Sequence, residues 1–169
     1  IINACALYGI TELLFWSSIP KVFVPDKLPL FDNAPSNAAE SFKVKNQMFN
    51  NNIGCFKTVL NYCIKKKVKL IHLSSTSVYG KQSDIVDENC EKKYLKPQSP
   101  YAKIKILEEE MLKKISKKIK YTTLRLGTIS GVSDGIRFHT AVNKFCLNAA
   151  LGIPITVYKT ALHQYRPYL

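Results

Sequence analysis

Apolar positions recur at helical spacing between Asn46 and Lys66, where Phe49, Ile53, Phe56, Leu60 and Ile64 fall along one stripe. A second stripe, Ile104, Leu107, Met111 and Ile115, predicts a helix over 101–118, with Glu108, Glu109 and Glu110 on a solvated face. Between them, Val68 to Ser74 is a largely apolar run of strand length, the kind buried in a parallel sheet. Tyr121 to Gly127, with Thr122, Thr123, Leu124 and Leu126, suits another strand. Phe138 to Leu151 predicts a helix ended by Gly152 and Pro154, and a short strand follows at Ile155 to Tyr158. At the start, Ile1 to Ala6 is apolar and ends in small residues, which suits the carboxyl end of a buried strand. Strands alternating with helices predict an α/β chain built on a parallel sheet. From Gly9 to Lys45 no element is predicted, because Pro20, Pro25, Pro29 and Pro35 break any long helix. That interval is an insertion, a lid or sequence outside the folded domain, and the residues do not choose among them.

Composition narrows the function classes. The 169 residues suffice for one sizeable core. The apolar run from Leu13 to Val24 is broken by Pro20 and Lys21 and is too short to span a bilayer, so no membrane partner is expected. A net charge of +13 raises nucleic acid as a partner. The lysines, however, are scattered over helix faces (Lys65 to Lys67, then Lys113, Lys114, Lys117, Lys118 and Lys120) without interleaved stacking aromatics. No nucleic acid is therefore expected, and the charge bias is read as compositional, with some benefit for a phosphate-bearing substrate. Cys5, Cys55, Cys63, Cys90 and Cys146 are odd in number and lack metal-type spacing, which predicts reduced thiols, a cytoplasmic setting and no metal. His72, His139 and His163 form no ligand cluster, and His72, inside a strand, is expected to be satisfied there. The chain opens on Ile1 rather than methionine, so it is expected to be part of a longer protein.

The candidate chemistry begins at Tyr101 and Lys105. Four residues apart on a helix, they share one face, one turn from each other. A free phenol ionises near pH 10, so using one as a base near neutrality requires about 4 kcal/mol of help. One ammonium about 4 Å away, at the effective dielectric of protein sites, supplies energy of that order. With 9 tyrosines and a lysine-rich chain, one such spacing is expected by chance, and a second, Tyr62 with Lys66, does occur. Context separates them. Tyr62 sits within an amphipathic helical pattern and is expected to pack, whereas Tyr101 opens its helix after the start signal Ser99-Pro100 and follows a strand that ends in hydroxyls.

Leu73-Ser74-Ser75-Thr76-Ser77-Val78-Tyr79-Gly80, followed by Ser99-Pro100-Tyr101-Ala102-Lys103-Ile104-Lys105, resembles the extended short-chain dehydrogenase/reductases, the NAD-dependent epimerase/dehydratase family. The resemblance implies that Tyr101 is the acid/base, that Lys105 activates it and holds the cofactor ribose, and that Ser75 is the catalytic hydroxyl against the sugar oxygen. It also implies cofactor contacts from Ala6, Asn51, Ser74 and Thr128, with Tyr101 and Lys105, and substrate contacts from Ser75, Asn143 and Arg166. An arginine suits a diphosphate because its planar fork donates two bonds at once. The triple Asn50-Asn51-Asn52 leaves the register of Asn51 open by one. Sugar dehydratases of the family carry acidic residues beside the catalytic hydroxyl; Thr76 and Ser77 cannot ionise, which favours epimerisation or simple redox chemistry.

No Gly-x-x-Gly-x-x-Gly turn occurs, so the phosphate cradle and first strands of the nucleotide fold are missing. The expected fold is thus the C-terminal part of a Rossmann-type parallel sheet with flanking helices. Residues 1–135 form an incomplete NAD(P)-binding domain, with 10–45 as the candidate insertion, and 136–169 begin a smaller substrate-binding domain. The expected function is a nucleotide-sugar epimerase using NAD, with NADP left open because the discriminating residue lies in the missing part. A homodimer of the full-length protein is left open too. The alternatives are a reductase or dehydrogenase of the same family, or a non-catalytic truncated fragment.

Overall fold

Ser99 and Pro100 start the helix that carries the candidate site: the Ser99 hydroxyl accepts from the Ala102 backbone N–H at 3.1 Å, and Pro100 occupies the first helical position. The computed structural model describes residues 12–15, 42, 45–82, 85–132, 136, 138, 140–159 and 162–163. The elements in order are β1 (Glu12–Phe15), α1 (Lys45–Lys66), β2 (Lys69–Ser75), α2 (Pro100–Lys114), β3 (Tyr121–Leu126) and α3 (Ala141–Ala150). Short 3-10 turns lie at Thr76–Val78 and Lys92–Tyr94.

The strands form a sheet in the order β1-β2-β3. β1 runs parallel to β2, with Glu12 opposite Lys69 and Phe15 opposite His72. An edge of this sheet therefore comes from the interval between Gly9 and Lys45 in which the sequence predicts no element. Parallel neighbours need a crossover, and the 22-residue α1 supplies it. α1 ends in a tight reversal: Lys67 adopts φ 54°, and Val68 N–H reaches back to the Cys63 carbonyl at 3.1 Å, so β2 begins at once.

The main core joins α1, β2 and α2 through Phe56, Val59, Leu60, Cys63, Leu70 and Leu112, all buried. Met48, Ile53 and Ile104 form a second cluster, with Tyr101 and Met111 packed beside it. Tyr62 packs against the main core, as expected for the chance copy of the spacing.

Two stripes are rotated from expectation. Phe49 is exposed, and α1 buries Met48, Asn52 and Cys63 instead. On α2 the buried line is Ile104, Lys105, Glu108, Glu109 and Leu112, while Leu107 is 37% exposed. The expected solvated face at Glu108 and Glu109 is thus wrong: both carboxylates point inward, where Lys105 of the same helix meets Glu108 and Arg125 of β3 meets Glu109.

The chain divides into two compact units, residues 1–125 and 126–169. In the second, α3 ends at Gly152, whose φ of 66° is open to glycine, and Ile153 N–H closes on the Asn148 carbonyl at 2.8 Å. The expected strand at Ile155 to Tyr158 does not form; residues 153–158 have no regular structure and are exposed. A strand needs a ladder partner, and among the described residues this segment has none.

Leu112→Ala should cost about 2–5 kcal/mol in denaturant unfolding, and Leu107→Ala less than about 1 kcal/mol. The reverse order would mean that the expected stripe, not the observed one, faces the core.

Candidate active site

β2 is buried through its carboxyl-terminal half at His72, Leu73 and Ser74, and emerges at the half-buried Ser75. Ligands of open parallel sheets bind beyond such strand ends. Ser75 caps the following 3-10 turn, and its Oγ accepts from the Ser77 backbone N–H at 3.2 Å. A hydroxyl has one donor and two acceptor sites, so this bond leaves the Ser75 O–H able to donate to a substrate oxygen.

Behind the turn, Gly80 has φ 65°, and a Cβ placed there would lie 1.8 Å from the Lys96 carbonyl oxygen. Only glycine allows that approach. Lys96 N–H bonds the Tyr79 carbonyl at 3.2 Å, and Gln82 Nε2 donates to the carbonyls of Tyr79 and Tyr94 at 2.6 and 2.8 Å. The loop leading to α2 is thereby tied to the turn that follows Ser75.

α2 brings the tyrosine and lysine to this strand end. Lys105 Nζ lies 5.7 Å from the Tyr101 ring centroid, and Tyr101 is half-buried. The lysine is fully buried, and its ammonium donates to the Leu73 carbonyl at 2.8 Å and to Glu108 Oε2 at 3.0 Å. Leu73 stands two residues before Ser75, so one bond fixes the lysine to the strand that carries the hydroxyl.

A second buried set lies alongside. The Ser74 hydroxyl donates to Glu109 Oε1 at 2.5 Å, and Arg125 binds Glu109 through both carboxylate oxygens at 3.0 and 2.7 Å. The Arg125 guanidinium stacks 4.9 Å from the Tyr79 ring. Burial alone would raise the Glu109 carboxyl, but the Arg125 and Ser74 hydrogen bonds and the arginine's charge outweigh it and hold it below the ordinary carboxylate range. Bonding to Glu109 likewise keeps Arg125 charged well above its ordinary range.

The expected site residues do not all meet here. Lys105 is bonded to Leu73 near the end of β2, two residues before Ser75, with the Tyr101 ring 5.7 Å from its ammonium, and the Ser74 side chain is turned to Glu109. Asn51 is half-buried on α1, and the next residue, Asn52, is the buried one. Thr128 and Asn143 belong to the second unit, where Asn143 Oδ1 accepts from Gly131 N–H at 3.2 Å. Ala6 and Arg166 lie outside the described residues. Sequence reasoning missed Glu108, Glu109 and Arg125; the inward signal was present only as polar residues at positions three and four after Lys105, which could equally face water. Among the described residues no group of His, Cys, Asp and Glu is arranged to hold a metal, and no helix is long and apolar enough to cross a membrane.

A model of the NAD dependent epimerase/dehydratase family matches residues 25–169, which takes in both the Ser75 turn and the Tyr101 helix. The chain belongs to that family. Its fold is shared with a UDP-N-acetylglucosamine 4-epimerase from Methanobrevibacter ruminantium at 23% identity and a TM-score of 0.68, over 79% of this chain and 44% of that one. A UDP-glucuronic acid 4-epimerase from Bacillus cereus, solved with UDP-glucuronic acid and NAD, is 27% identical with a TM-score of 0.65, over 80% and 42% of the two chains. A dTDP-glucose 4,6-dehydratase from Streptomyces venezuelae, solved with NAD, is 16% identical with a TM-score of 0.69, over 100% and 48%. The chain thus spans less than half the length of each of these structures. No protein of curated function matches the sequence. The expected family and α/β fold hold.

The depressed Glu109 carboxyl has a pH signature. Its bonds to Arg125 and Ser74 stabilise the fold above the unfolded value near pH 4, and that stabilisation is lost as pH falls through the lower folded value. Glu109→Gln should lose about 1–3 kcal/mol at pH 7, with a smaller deficit at pH 3, measured by urea unfolding at both.

Proposed function

We propose that this chain carries the catalytic centre of an NAD-dependent nucleotide-sugar 4-epimerase. The observation that carries the reading is the placement of Lys105 between Tyr101 and the end of β2, 5.7 Å from the tyrosine ring and bonded to Leu73, two residues before Ser75. The residues present fit the nicotinamide end of the cofactor: a half-buried phenol over an ammonium, beside hydroxyls at the carboxyl end of a parallel strand. NAD, which neighbours at this fold hold, supplies the redox partner for the sugar carbon when bound.

Tyr101 accepts the proton of the sugar hydroxyl as that carbon is oxidised, and returns it when the carbon is reduced from its opposite face. The Lys105 ammonium stabilises the phenolate that takes up this proton. Ser75 donates to the same sugar oxygen. Epimerisation is favoured over dehydration because Thr76 and Ser77 beside Ser75 carry no acid, while the nearby carboxylates are engaged, Glu108 by Lys105 and His72, and Glu109 by Arg125. Asn143 and Arg166 are the candidate contacts for the nucleotide's phosphates.

The test uses the full coding sequence that contains this chain, with UDP-hexoses as substrates. Inversion at C4 should appear by NMR without net change at the reduced-nicotinamide absorbance band. Tyr101→Phe should lower kcat by roughly 10²–10⁴ and Ser75→Ala by roughly 10². Stoichiometric accumulation of free reduced cofactor would replace the epimerase with a reductase, and an unimpaired Tyr101→Phe enzyme would reject the site.

A further inference from the structure

Ile104, Glu108 and Leu112 follow one another at four-residue spacing on the buried face of α2, at 2%, 0% and 0% exposure. A leucine in the middle position would complete an apolar stripe. A carboxylate there loses its hydration and is tolerated only with close partners. Both of its partners bind the same oxygen: Oε2 lies 3.0 Å from Lys105 Nζ and 2.9 Å from His72 Nε2. Oε1 has no hydrogen-bond partner among the described residues.

His72 is also fully buried, on β2, with its ring 5.1 Å from that of Phe56. Its Nδ1 has no partner among the described residues. The consistent assignment for a neutral ring puts the hydrogen on Nε2, donating to Glu108, and leaves Nδ1 as a bare acceptor against apolar neighbours. Two polar side chains thus enter the core from separate elements and converge on the lysine beside Tyr101.

We propose that Glu108, anchored by His72, is a positioning residue that holds the Lys105 ammonium in place beside Tyr101. The proposal rests on the reading of Tyr101 and Lys105 as the acid/base pair. The Lys105 ammonium that Glu108 holds lies 5.7 Å from the Tyr101 ring. The other ionisable groups around this pair are Cys55 on α1, Arg125 on β3, Tyr79 in the turn after β2, and Glu109 on α2 itself. Arg125 and Glu109 satisfy each other. The Cys55 thiol is pushed up by burial and, secondly, by the Glu108 charge, so it stays neutral. Glu108 is then the anion that balances Lys105.

Removing the carboxylate breaks this ion pair and leaves the bond to the Leu73 carbonyl. The lysine is then less firmly placed, and Tyr101 loses part of its electrostatic support. In the full-length enzyme, Glu108→Gln should lower kcat/KM at pH 7 by roughly 10²-fold and move its rise with pH upward by about one unit or more. Glu108→Asp, which keeps the charge, should retain the original profile and lose less than about 10-fold. If Glu108→Gln does not fold, the double variant His72→Phe with Glu108→Leu refills the core with apolar groups, and it should show the same displaced profile. Tyr101→Phe, measured in parallel, should be inactive at every pH. An inactive Tyr101→Phe with unshifted profiles in the Glu108 variants overturns this proposal and leaves the site intact. An active Tyr101→Phe removes the acid/base reading and this proposal with it.

Discussion

An ammonium group inside the protein sets the geometry of the site. Lys105 is buried, so it needs an anion and a carbonyl to replace its lost water, and Glu108 and Leu73 supply them. Those two bonds decide which face of α2 turns toward the sheet. With that rotation fixed, Ile104 and Leu112 fill the core, Glu109 reaches Ser74 and Arg125, and Tyr101, one turn before the lysine, comes to lie at the strand end. Apolar packing alone would have permitted the helix to roll by one position, presenting Leu107 instead.

That near-degeneracy explains what could be read from the sequence and what could not. The start of α2 at Ser99-Pro100 was legible because capping is local chemistry, and β2 was legible to within a residue because its run is bounded by a helix end and a hydroxyl cluster. Tyr101, Lys105 and Ser75 were nominated by their order and flanks, which carry a family pattern. The inward turn of Glu108 and Glu109 was not legible, since two of the partners that make burial tolerable, His72 and Arg125, are distant along the chain. β1 was missed because it is four residues long in a proline-rich interval, and its parallel pairing with β2 is a tertiary fact. The segment from Ile155 to Tyr158 has the alternation of a strand, but periodicity does not supply a partner.

The two buried polar sets divide the work of joining helix to sheet. Glu108 links α2 to β2 through Lys105 and His72, and Glu109 links it to β2 and β3 through Ser74 and Arg125. Directional bonds of this kind constrain rotation and translation together, which leucine contacts do less sharply. The proposed pairing of the Tyr101 phenol with the Lys105 ammonium gains from that constraint.

The contact between Gly80 and the Lys96 carbonyl reaches beyond backbone conformation. The chain on either side of residues 81–95 is clasped at that point, with Gln82 bonding both Tyr79 and Tyr94 across it. A side chain at position 80 would therefore part the two strands of backbone that frame the turn after Ser75, so a single missing methyl group secures the approach to α2.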